Sequence, residues 1–169
     1  NSDLPFVLTY SRGSFTLKVG STPAERMMTG IGQGETLVSP LHMAMIVSSI
    51  ANDGVLMEPY VLDHVESYSG TVVDTYNPVQ YGELMTAEEA ETLTEYMKAV
   101  VEDGTARSLN DLGFDIAGKT GTAEYTSNKN KSHAWFVGFS DTGDSDIVVC
   151  VLVEEKGPGK EYAVPVARQ

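Results

Sequence analysis

The sequence predicts an α+β fold in which helices pack on a late antiparallel sheet, and three observations carry that expectation. Two stretches, 39–53 and 86–103, have helical composition and open on capping residues. Three runs within 113–155 are rich in β-branched and aromatic residues. The connections between those runs are short and polar, which suits consecutive antiparallel strands. At 169 residues the chain is long enough for one domain with a sizeable core.

The elements follow in order. Residues 1–38 are rich in Ser, Thr, Gly and Pro without a sustained period, so a loop-like lead-in is expected. It contains Gly30-Ile31-Gly32-Gln33-Gly34-Glu35. Ser39 then caps a helix whose first turn holds Pro40. Leu41, Met43, Ala44, Met45, Ile46, Val47, Ile50 and Ala51 make it apolar on nearly all sides, which predicts extensive burial. Asn52-Asp53-Gly54 ends it. Residues 59–77 read as a small hairpin, with alternating runs 59–65 and 71–76 joined across Ser69-Gly70.

Thr86-Ala87-Glu88-Glu89 is a capping box. The helix it starts puts Ala90, Leu93, Met97, Val100 and Val101 on one face, and Asp103-Gly104 stops it. Its carboxylates form a solvated face, and no metal site is expected. In the sheet portion, 113–155, Phe114-Asp115-Ile116-Ala117 alternates as a half-buried strand does and leads into Lys119-Thr120-Gly121-Thr122. Residues 126–132 form a polar connection, 134–139 and 147–153 two further strands. Asp141-Thr142-Gly143-Asp144 between them reads as a turn, since it lacks the positions of a calcium loop. The tail, 156–169, reads as a helix start that breaks off.

Charge excludes some partners. A net charge of −13 opposes nucleic-acid binding and adhesion to anionic lipid. It speaks for a soluble, self-repelling chain. Cys150 lies in an apolar run and reads as a buried, inert thiol. His42, His64 and His133 have no zinc-type spacing and read as structural, with His133 placed near the mouth of the site.

The chemistry concentrates at Lys119–Thr122. Period-2 geometry sends Lys119 and Gly121 to one face and Thr120 and Thr122 to the other. Gly121 lets a ligand backbone lie close to the strand. An ammonium and two hydroxyls on such a strand suit an extended peptide ending in a carboxylate, added as an extra strand. The Thr122 N–H is a candidate oxyanion donor. Gly113, Gly118, Lys119 and Thr120 also match G-x-x-x-x-G-K-[ST]. The phosphate-binding loop needs a strand before it and a helix after it, and here the strand falls inside the motif.

Several blocks together carry a family resemblance. They are Gly30-Ile31-Gly32-Gln33-Gly34-Glu35, Ser39-Pro40-Leu41-His42-Met43-Ala44, Ala51-Asn52-Asp53-Gly54, Gly104-Thr105-Ala106, Ala117 to Glu124 and Ala134 to Phe139. In this order they resemble the C-terminal part of a penicillin-binding protein transpeptidase domain of class B type, within the serine β-lactamase/DD-peptidase superfamily. The resemblance implies part of a β-lactamase/transpeptidase-like fold, incomplete at both ends. It implies a parent that cross-links peptidoglycan by serine acyl transfer and is acylated by β-lactams, with no cofactor. Lys119 would belong to the Lys-Thr-Gly element of the catalytic cleft. Thr120, Gly121 and Thr122 would bind the D-Ala-D-Ala end of a stem peptide or a β-lactam, with the Thr122 N–H in the oxyanion hole.

The family's Ser-x-x-Lys nucleophile occurs nowhere in the sequence. Ser108-Leu109-Asn110 has the letters of Ser-x-Asn but falls after the long helix, in the wrong place. The chain is therefore expected to be an inactive piece of the domain. Its parent is expected at the extracytoplasmic face of the membrane, anchored there beside other cell-wall proteins. The last strand is expected to lack a neighbour and to invite a homodimer or strand exchange. Three alternatives remain: a non-catalytic peptide or β-lactam sensor, a serine β-lactamase, and a P-loop nucleotidase.

Overall fold

A computed structural model describes residues 4–126, 128, 131–142 and 147–169. Its centre is an antiparallel sheet of β5 (Ile116–Glu124), β6 (Ser132–Ser140) and β7 (Val148–Val153), in the order β5-β6-β7. Register runs from Ile116 opposite Ser140 to Glu124 opposite Ser132, and from Ala134 opposite Val153 to Phe139 opposite Val148. Paired residues share a face, so the two faces can be read across the sheet.

One face carries Ala117, Val137, Phe139, Val148 and Cys150. It packs against Val47 of α2 (Pro40–Ala51) and Met97 of α3 (Ala87–Glu102). The other carries Ala134, Phe136, Val151 and Val153. It is covered by Val101, Leu109 of the short 3₁₀ turn Arg107–Leu109, and Ala163 and Val164 of the C-terminal turns α4 (Gly159–Tyr162) and α5 (Val164–Ala167). Phe136, 2 % exposed, fills that second face. Its ring lies where a Cβ on Gly118 or Gly138 would stand, at 2.7 and 2.9 Å. Arg168 ties the tail to the 3₁₀ turn region by donating to both oxygens of Asp111, with Nη2–Oδ2 at 2.9 Å.

Both long helices begin as their caps dictate. The Ser39 hydroxyl accepts from the His42 N–H, and Thr86 and Glu89 bond reciprocally. Helix α2 departs from expectation in its burial. Only Met45, Val47 and Ser49 are buried, and Ile46 is 40 % exposed. The sheet, α3 and β1 (Val55–Met57) pack against the helix, and together they leave part of its apolar surface exposed.

The lead-in also differs from a plain loop, because it holds α1 (Pro23–Gly30). The signal is a second capping box, Thr22 with Glu25, in a helix of only eight residues that buries none of them. The hairpin is formed by β2 (His64–Glu66) and β3 (Val72–Thr75). It is framed by a second pair, β1 (Val55–Met57) with β4 (Gln80–Glu83), which sequence patterning missed. Those strands are short, and their pairing is non-local. The Lys-Thr-Gly-Thr segment lies in the middle of a nine-residue strand and not at its end. The tail forms two short turns and not one helix start. Gly143 and Asp144 of the expected Asp-rich turn lie outside the described residues, as do Ser127, Lys129 and Asn130 of the polar connection.

Two outcomes follow from this packing. A methyl group on Gly159 would stand 2.2 Å from the Trp135 carbonyl oxygen and 2.6 Å from that of Gly121. Gly159→Ala is therefore expected to destabilise the fold by about 1–3 kcal/mol in chemical denaturation. On β2, the His64 ring nitrogens lie 3.0 Å from Asp63 Oδ2 and 3.0 Å from Glu66 Oε1. The Asp63 bond first, then that of Glu66, raises the pKa of His64 above its ordinary 6.5. A raised histidine stabilises the hairpin below its unfolded pKa and loses that contribution as pH rises through its folded one. An NMR titration should place His64 above 6.5, and Asp63→Asn should bring it down.

Candidate functional site

Strand β5 pairs on one side only: β6 is its single strand partner among the described residues. In an antiparallel strand the N–H and C=O of one residue point the same way, and successive residues alternate. The outward residues are identified by their bonds. The Thr120 carbonyl accepts from Lys119 Nζ at 2.7 Å, and the Thr122 carbonyl accepts from Gln33 Nε2 at 3.0 Å. The N–H groups of Thr120 and Thr122 accordingly face the open edge as well.

Three segments distant in sequence meet at that edge. Gln33 comes from the glycine-rich turn after α1. Thr105, from the turn after α3, shares a hydrogen bond with Thr120, Oγ1 to Oγ1, at 2.6 Å. Lys119 comes from β5 itself, lies opposite Val137 and so belongs to the face toward α2 and α3. Its side chain is exposed and curls back along the strand edge. Gly121 lies opposite Trp135, and a Cβ there would stand 3.1 Å from that of Trp135. Sequence reasoning singled out Lys119, Thr120, Gly121 and Thr122. It quoted Gln33 and Thr105 only within blocks and gave neither a role, because nothing local shows that they reach β5.

The arrangement is an exposed strand edge and not an enclosed chamber. An apolar cavity of about 150 Å³ lies between the sheet, Leu109 and Ala167, and another of about 190 Å³ lies beside Tyr60 and Tyr76. Neither touches Lys119. Chemically, the edge offers an ammonium, hydroxyls and strand N–H groups without a strand partner among the described residues, a set of the kind that suits an extended peptide and a carboxylate.

The remaining candidates fall elsewhere. His42 Nδ1 lies 2.7 Å from the Ser39 hydroxyl, and its ring meets Tyr10 edge-on. His133 stacks on Tyr125 with ring centroids 4.4 Å apart, and its Nδ1 accepts from the Glu155 N–H. Burial pushes the half-buried Cys150 thiol up to about 11, which leaves it protonated at neutral pH. No cluster of three metal-ligating side chains occurs among the described residues. The strand runs through Lys119 to Glu124, so no helix opens at Thr120 and the phosphate-binding loop is not formed.

A family model for the penicillin binding protein transpeptidase domain matches residues 13–169. The chain belongs to the penicillin-binding protein transpeptidase family. It is 34 % identical over 148 residues to the peptidoglycan D,D-transpeptidase PbpA of Mycolicibacterium smegmatis, covering 83 % of this chain and 30 % of that protein. It is 33 % identical over 150 residues to penicillin-binding protein 3 of Bacillus subtilis, covering 83 % of this chain and 21 % of the relative. Among solved structures, penicillin-binding protein A of M. tuberculosis as its imipenem acyl-enzyme complex superposes with a TM-score of 0.73 at 32 % identity. That match covers 83 % of this chain and 32 % of the other. The transpeptidase-family chain thus spans under a third of the length of these relatives, and its mixed helix-and-sheet architecture is that of part of their domain.

Proposed function

We propose that this chain is the substrate-binding part of a peptidoglycan D,D-transpeptidase, with the open edge of β5 as one wall of the cleft. The observation that carries the reading is the convergence of Gln33, Thr105 and Lys119 on outward-facing strand groups of Thr120 and Thr122. A stem peptide ending in D-Ala-D-Ala adds to that edge as a short strand. Lys119 and the hydroxyls of Thr120 and Thr122 hold its carboxylate, with the Thr120 hydroxyl exchanging its bond to Thr105 for one to the ligand. Gly121 admits the peptide backbone. The outward N–H of Thr122 is one oxyanion donor, because it points to the side from which the peptide carbonyl arrives. A β-lactam occupies the same groove, and no metal or cofactor enters.

The acyl-transfer step requires a serine hydroxyl to attack the carbonyl and a base to take its proton. Without a Ser-x-x-Lys in these 169 residues, that pair belongs to the rest of the parent protein. The parent works on the extracytoplasmic face of the cell membrane, where its polymer substrate lies. Among the described residues no helix is long and apolar enough to cross a membrane. Strand β7, the other margin of the sheet, pairs only with β6 among those residues, and its free edge favours self-association.

Three results test these statements. The chain incubated with a fluorescent penicillin should give no covalent band that survives denaturation; such a band would show that a nucleophile is present. Lys119→Ala should weaken non-covalent binding of a diacetyl-L-Lys-D-Ala-D-Ala peptide about tenfold or more, as loss of a charge-assisted contact does. Sedimentation should show a concentration-dependent dimer, and a monomer throughout the range would remove the role given to the β7 edge.

A further inference from the structure

The Thr122 carbonyl is the acceptor that an added strand needs, and Gln33 holds it. Nε2 donates to that oxygen at 3.0 Å across 89 positions of sequence. The partner fixes the orientation of the carboxamide, because its oxygen turned toward a carbonyl would be repelled.

The turn that presents Gln33 is built for one side chain. Gly32 and Gly34, on either side of it, have φ of +74° and +89°, a region that other residues enter at a cost. Its backbone N–H is bonded to the Met28 carbonyl at 2.8 Å, where α1 ends. Beyond the turn, Ser14 and Leu37 exchange backbone hydrogen bonds of 2.8 and 2.9 Å. The backbone is thus fastened on both sides, while the Gln33 side chain makes its contact with the strand edge.

We propose that Gln33 is a stand-in for the substrate amide: its carboxamide satisfies the Thr122 carbonyl and yields it to the N–H of an incoming peptide. The inference rests on the peptide-binding reading of β5 and adds the residue that competes with the peptide for its edge. A ligand bringing an N–H to this position replaces one bond by an equivalent one. A ligand without it displaces Gln33 and leaves a strand carbonyl unpaired, which is unfavourable. Gln33 therefore lowers the affinity of every ligand that must displace it by the strength of its own bond, and an acylamino N–H is what compensates that loss.

The test uses this chain and diacetyl-L-Lys-D-Ala-D-Ala as the probe, followed by NMR. In the native sequence, saturation should move the Gln33 side-chain amide protons to the positions of a free carboxamide while Thr122 shifts. Gln33→Met keeps the volume and removes the donor. It should tighten peptide binding about two- to tenfold, the worth of one neutral hydrogen bond. Gln33→Glu, which also lacks a donor, separates charge from donation: it too should leave the free chain without the Thr122 bond. Peptide shifts on β5 with unchanged or weaker affinity in Gln33→Met would overturn the stand-in role and leave the peptide groove intact. No shift at Lys119 or Thr122 in any variant would overturn both. Unaltered backbone spectra away from 30–37 and β5 would confirm that the variants keep the fold.

Discussion

The one-sided pairing of β5 is the constraint on which the remaining structure depends. Every residue from Ile116 to Glu124 has a partner in β6, and that ladder holds the strand extended through its lysine. Half of its backbone groups are consumed by the pairing and the other half are left facing outward. A strand paired on both sides would have no groups left for a peptide. A strand paired on neither would have no fixed shape to offer one.

Holding that edge open requires support from both faces. On one, α2 and α3 press on Ala117, Val137 and Phe139; on the other, Phe136 lies across Gly118 and Gly138 beneath the C-terminal turns. A Cβ on Gly159 would run into the carbonyl oxygens of Gly121 and Trp135, so Gly121, one of two glycines in β5, lies directly against α4. Small residues here serve packing and access together. A larger side chain would separate the layers before it obstructed the groove.

Electrostatics play a local part. The chain is strongly acidic, with net charge −13, yet the groove presents Lys119. Charged contacts elsewhere are structural. Lys98 of α3 bonds to Asp141 at 2.6 Å, just beyond β6, which raises its pKa above the ordinary value chiefly through that hydrogen bond. Arg168 and Asp111 join the tail to the turn after α3. Such pairs orient elements, and exposed ones contribute little to stability.

The sequence by itself determined the pieces whose causes are local. Thr86 and Glu89 announce the start of α3, Ser39 and Pro40 that of α2, and alternation marks the late strands. The motif blocks carried the family resemblance together, because each is a short local run and their order along the chain is legible without the fold. Tertiary structure decided everything that joins distant segments. The β1–β4 pair escaped notice because three- and four-residue strands carry too little period. Helix α1 escaped because it buries nothing. The uniform apolarity of α2 indicated burial but could not say how much of it these residues supply. Gln33 and Thr105 became part of the site only when folding carried them to β5, since a hydrogen bond across 89 residues leaves no trace in local pattern.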